Sequence, residues 1–238
     1  MAFMAVYLSI TAGAIIAFGA DPAAPRAADT LAARVVACMA CHGKEGRATN
    51  DGYYPRIAGK PAGYLYNQLV NFRDGRRRSA AMTYLVDNLP EAYLREIAGY
   101  FAARQLPYPP PQTVSAPRPV LERGRQLVMT GDAAINAPAC VSCHGQALTG
   151  VAPAIPGLLG LPRDYLNAQF GAWRIGDRHA AAPDCMAQIA RRLSAEDISA
   201  ATAYLASTPV PGNAVPAALE SIKLPMECGS VAPNRSTP

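Results

Sequence analysis

One five-residue pattern occurs twice in this chain of 238 residues: Cys38-Met39-Ala40-Cys41-His42 and Cys140-Val141-Ser142-Cys143-His144. Two thiols three positions apart reach the two vinyl groups on one edge of a haem. The histidine that follows then lies under the iron and coordinates it, so the pattern is the attachment signature of c-type haem. Each copy is followed by Gly, and together they use four of the six cysteines and two of the three histidines. The duplication predicts two covalently bound haem c groups, with thioether positions Cys38, Cys41, Cys140 and Cys143 and iron ligands His42 and His144. Such a chain must fold around its cofactors. Paired Cys-x-x-Cys motifs also build tetrahedral zinc sites, but that reading leaves both histidines and glycines unused and wants the pairs close together. A thioredoxin-like dithiol needs a βαβ context, and the chain shows little strand pattern.

The similarity between the halves extends beyond the motifs. With Cys38 laid on Cys140, Ile57-Ala58-Gly59 falls on Leu158-Leu159-Gly160, Tyr64-Leu65 on Tyr165-Leu166, Gln68 on Gln169, Phe72-Arg73 on Trp173-Arg174 and Gly75 on Gly176. After a three-residue insertion Met82 falls on Met186, Leu89 on Leu193 and Tyr100 on Tyr204. A repeat this long indicates duplicated domains rather than a solenoid. The expected organisation is an N-terminal domain over 21–105, a Pro-rich linker over 106–119, a C-terminal domain over 120–208 and a Pro-rich tail over 209–238. The linker sequence Leu106-Pro107-Tyr108-Pro109-Pro110-Pro111 is polyproline-like and semi-rigid. Within each copy the apolar period is helical: Leu94, Ile97, Ala98 and Phe101 share one face of a helix over 90–105. Ser194-Ala195-Glu196-Asp197 resembles a capping box opening the matching helix. Segments 61–75 and 162–176, each ending at Gly, form a second pair, and 29–38 and 120–130 a third, with Gly124 allowing close helix crossing. The fold class is all-α, two tandem domains each wrapped around one haem.

A sixth ligand decides whether each iron is closed or open to small molecules. Met82 and Met186 lie 40 and 42 residues after their histidines at equivalent repeat positions, and each precedes an amphipathic helix. A thioether there closes the iron and raises its potential. Met39 and Met129 read as packing. His179 reads as a surface histidine, with iron ligation as the competing role. Cys185 and Cys228 have no repeat counterpart; they form a disulfide, remain free thiols, or place Cys185 on the second iron.

Residues 1–20 carry no charge and read as a signal-peptide core or a short membrane anchor. Either one places the body in the periplasm, soluble or held at the inner membrane. The formal charge of +5 is lowered by the propionates of two haems to a mildly basic balance, so nothing in the charge supports nucleic-acid binding.

The order Cys-x-x-Cys-His-Gly, Pro-x-x-x-Gly, Tyr-Leu-x-x-Gln, Gly, Met, then a helix ending in Tyr-Phe-Ala or Tyr-Leu-Ala, occurs in both halves. In this it resembles the dihaem cytochrome c4 family, two fused class I cytochrome c domains, over roughly residues 29–208. The resemblance implies His42 with Met82 and His144 with Met186 as axial pairs. It also implies a proline carbonyl behind each histidine, from Pro55 and from Pro156 or Pro153. The tail and the extra cysteines depart from the family pattern. The function implied is electron transfer between redox partners: a quinol-oxidising complex, a terminal oxidase or a dehydrogenase subunit. The Arg73, Arg76, Arg77, Arg78 cluster would steer an acidic partner, or be a solvated face. Two further readings are the cytochrome subunit of a multi-subunit dehydrogenase and a sulfur-oxidising dihaem enzyme that uses Cys185.

Overall fold

The computed structural model describes residues 29–49 and 52–231. The expected leader or anchor at 1–20 lies outside these residues. The first half begins with α1 (Leu31–Arg34) and α2 (Val36–His42), one helical run broken at Val35, and continues through α3 (Ala62–Arg73), α4 (Ala80–Val86) and α5 (Glu91–Ala102). The second half holds α6 (Arg118–Met129), α7 (Val141–His144), a short antiparallel hairpin of β1 (Gly150–Val151) and β2 (Ile155–Pro156), and then α8 (Arg163–Ile175), α9 (Cys185–Arg192) and α10 (Ala195–Ser207). Both halves are helix-rich, as their apolar periodicity requires.

Local chemistry sets the helix ends. Helices α3, α5, α6 and α8 each start directly after a proline, which has no N–H to leave unpaired at the entry. Ser194 Oγ accepts from Asp197 N at 3.0 Å, the cap expected of its sequence. Helix α8 stops at Gly176, which adopts a left-handed conformation. Helices α4 and α9 are short elements that periodicity missed. Seven or eight residues give too few turns to show a pattern, and both depend on a side-chain cap: Ser79 Oγ for α4 and Asp184 Oδ1, 2.9 Å from Ala187 N, for α9.

Each half has its own apolar core. In the first, Val35, Leu65, Ile97 and Phe101 pack together beside a second group of Phe72, Val86 and Leu94. In the second, Leu127 and Val128 of α6 meet Leu161, Leu166, Ile198 and Leu205. Gly124 permits the closest approach. A Cβ there would lie 2.1 Å from the Ala200 carbonyl oxygen, so α6 rests directly on the α10 backbone.

The halves meet in a seam that repeats the internal symmetry. The Arg77 and Arg178 backbones pair as an antiparallel bridge. The Arg77 guanidinium donates to Gln68 Oε1 at 2.9 Å and Gln169 Oε1 at 2.7 Å; that of Arg178 donates to the same two oxygens at 3.2 and 2.6 Å. Arg77 lies over the Phe72 ring and Arg178 over the Trp173 ring. Arg77 and Arg178, Gln68 and Gln169, and Phe72 and Trp173 are three pairs of repeat equivalents, so each half supplies the same grip on the other. The linker is fixed as well: Arg56 donates to the carbonyls of Leu106 and Pro107 and lies over the Tyr108 ring. The arginine cluster is therefore divided between the seam and the surface. Arg77 is taken into the seam, Arg73 and Arg76 pair with Asp74, and Arg78 pairs with Asp177.

Candidate haem sites

Helices α2 and α7 carry the two attachment motifs, and each ends on its histidine. The next residue, Gly43 or Gly145, has a positive φ. At Gly43 a side chain is excluded twice, by that conformation and by the Ala48 carbonyl oxygen, which a Cβ would approach to 2.3 Å. The sharp reversal brings the following loop back under the histidine. His42 Nδ1 lies 2.9 Å from the Pro55 carbonyl oxygen, and His144 Nδ1 lies 2.7 Å from that of Pro156. A carbonyl only accepts, so each Nδ1 carries the proton and each Nε2 keeps its lone pair for a metal. Burial pushes both imidazoles below the ordinary histidine pKa, which keeps them neutral, as a ligand must be. Pro153 does not take this role; its carbonyl accepts from the Tyr64 N–H across the seam.

The thiols match. Burial raises the pKa of Cys38 and Cys143 and pushes that of Cys140 up to about 12. They are neutral sulfurs in apolar surroundings, a setting that suits thioethers. No group of three or more acidic, His or Cys side chains able to hold a bare metal ion occurs among the described residues. The seam completes the test. Arg178 is buried, and neither it nor Arg77 has a carboxylate partner among the described residues. The indole N–H of Trp173, under Arg178, is buried with no acceptor. Buried cations and donors without an anion are costly, and the carboxylates of a haem are the chemistry they lack. The residues present fit the group.

Met82 and Met186 both lie in the first turn of a short capped helix, α4 and α9, and both are half-buried. Met82 packs against the group of Phe72, Val86 and Leu94, which shares Tyr66 and Leu89 with the core holding Cys38. Met39 packs in that core; Met129 is 37% exposed and does not pack as its sequence context suggested. His179 is exposed, with its backbone N–H donating to Arg76 O. Cys185 is joined to Cys228 in a disulfide, so its sulfur is not available to a metal. Sequence reading missed the seam residues Gln68, Gln169, Arg77 and Arg178 as a unit. Their equivalence in the repeat was the available signal, and only the folded contact gave it meaning.

Two helical halves, each presenting a Cys-x-x-Cys-His helix with a neutral histidine backed by a proline carbonyl, define a c-type cytochrome with two haem sites. The cytochrome c family profile matches residues 121–209. The thiosulfate dehydrogenase electron acceptor of Thiomonas intermedia is 34% identical over 84% of this chain and 89% of its own length. Cytochrome c4 of Pseudomonas aeruginosa is 32% identical over 80% of this chain and 94% of its own. Among solved structures, cytochrome c4 from Pseudomonas stutzeri superposes with a TM-score of 0.62 at 27% identity, covering 74% of this chain and 96% of that one. The TsdBA thiosulfate dehydrogenase of Marichromatium purpuratum gives 0.65 at 32%, covering 73% of this chain and 36% of that one. The chain belongs to the cytochrome c4 family. It is an electron carrier with two covalently bound haem c groups and is not itself an enzyme.

Proposed function

We propose that the chain relays electrons in the periplasm through two closed His/Met haem sites, accepting them from a separate dehydrogenase of the thiosulfate-oxidising kind. In this reading Cys38 and Cys41 hold one haem, with His42 and Met82 as axial ligands. Cys140 and Cys143 hold the other, with His144 and Met186. The bound haem supplies reversible one-electron chemistry at its iron. The chain's own residues do the rest: Pro55 and Pro156 orient the imidazoles, and neutral thioethers keep the iron's surroundings apolar. The domains are 21–105 and 120–208, joined by the linker 106–119, with the tail 209–238 added to the second. Residues 1–20 would deliver the chain to the periplasm or tether it at the inner membrane.

The observation that carries the reading is the identical histidine–proline carbonyl bond in both halves, each half also offering a methionine on a short capped helix. The donor assignment is supported by the two relatives named as electron acceptors of thiosulfate dehydrogenase and by the likeness to part of the TsdBA protein. Onward partners of the expected kinds are a terminal oxidase or another respiratory complex. Stopped-flow absorbance tests this. Both haems are expected to be reduced by thiosulfate only when a thiosulfate dehydrogenase is added. Reduction by thiosulfate alone would make the chain an enzyme, and no reduction with the dehydrogenase present would exclude it as the acceptor.

A further inference from the structure

The second site has a part that the first lacks. After α10 the chain runs back across the second half and is fastened on two sides of it. On one side it extends the hairpin that orients His144. Thr149 Oγ1 donates to Val215 O at 3.0 Å, Ala217 N donates to Gly150 O at 2.9 Å, and Ala152 N donates to Ala217 O at 2.8 Å. That hairpin ends at Pro156, whose carbonyl holds the His144 imidazole. Leu219, Ile222, Leu224 and the buried Val231 then pack on Val151 and Ile155. On the other side Cys228 is bonded to Cys185, the first residue of α9 and the neighbour of Met186. Gly229 N donates to Pro183 O at 2.9 Å. A Cβ at Gly229 would come within 2.2 Å of the Ala182 carbonyl oxygen, so the tail lies directly on the loop leading to Met186. Asn67 of the first half donates to Ser230 O at 3.1 Å. The equivalent loop before Met82 is held by the Ser79 cap, by Arg77 N donating to Asn71 O, by two backbone bonds across the seam and by its arginine side chains, but among the described residues no further segment lies over it and it has no covalent tie.

We propose that the tail over 209–231 is a clamp that fixes the Met186 helix to the His144 hairpin, so that the sixth position of the second haem stays closed while that of the first remains the more easily opened. The proposal rests on Met186 being the ligand. It assigns Cys185, Cys228 and Gly229 as positioning residues that act through Met186. Opening an iron to an external ligand requires its methionine to leave, and a segment tied at both ends resists that local opening. The asymmetry would let the two haems of one chain differ in ligand exchange although their ligand sets are the same.

The test uses the holo-protein with both haems attached, verified for each variant by pyridine haemochrome. Two measurements are made: the weak long-wavelength band of methionine bound to ferric iron, and titration with imidazole as competing ligand. In the wild type one haem is expected to bind imidazole at least ten-fold more weakly than the other. The double variant Cys185→Ser/Cys228→Ser should bring the two affinities within about three-fold, and Gly229→Val, which leaves the disulfide residues in place, should move the same haem in the same direction. Unchanged affinities in both variants overturn the clamp. Met186→Ala separates the two ideas: it should remove half the band, and a full band in that variant overturns the ligand assignment and the clamp with it.

Discussion

Lys60 shows how one residue can break the symmetry of the repeat. Its side chain is 4% exposed and donates to Gly157 O of the other half at 2.9 Å, whereas its repeat equivalent is the buried apolar Leu161. Burial, with the nearby Arg56 charge adding to it, lowers its pKa to about 7. The unfolded chain, with an ordinary lysine pKa, binds more protons between about pH 7 and 10.5. Stability therefore rises with pH across that window, and the full penalty is present below it. The linkage is on the order of 4 kcal/mol, offset in part by the lost hydrogen bond at roughly 1–2 kcal/mol. Lys60→Met is accordingly expected to stabilise the holo-protein by about 2 kcal/mol at pH 7 and to flatten the rise toward pH 10. Urea unfolding at pH 7 and pH 9 measures both; a destabilised variant at pH 7 would show that the ammonium has a counter-charge in the holo-protein.

At the scale of elements, the crossing of α6 and α10 is the contact least tolerant of change. The two backbones meet at Gly124 and Ala200 with no room for a methyl group, and the rest of the crossing is filled by Leu127, Val128 and Leu205. Gly124→Ala should force the helices apart at a cost of about 1–3 kcal/mol, even though alanine is the better helix former. Thermal unfolding would show this as a lowered midpoint; an unchanged or raised midpoint would mean that the crossing relaxes freely. Both crossing helices were legible in the sequence, as was the need for a glycine between them. Helices α4 and α9 were not legible, because a helix of seven or eight residues held by one cap and by packing leaves no periodic trace.

For the molecule as a whole, the seam determines whether two duplicated domains behave as one body. Arg77 and Arg178 each reach both Gln68 and Gln169, so the four side chains act as a unit and single deletions should not add. Arg178→Met is expected to leave both covalent attachment motifs and both histidine–proline carbonyl bonds in place, while removing one cation that faces the haem carboxylates and uncoupling the halves. Denaturant unfolding followed by haem-region circular dichroism should then show two transitions in place of one. A single transition in the variant would mean that the apolar contacts and the linker couple the halves without the arginines.

The sequence alone determined the two attachment motifs with their histidine ligands, the repeat and the helical class, because covalent chemistry and periodicity are local properties read at fixed spacing. It also narrowed Cys185 and Cys228 to a pair without fixing their state. Only the tertiary structure decided that Pro156 rather than Pro153 backs His144, that Arg77 is drawn into the seam, and that the tail bridges the His144 hairpin and the Met186 helix. These are contacts between residues far apart in the chain. Which donor meets which acceptor there depends on how the two halves are turned toward each other, and spacing along the sequence does not contain that information.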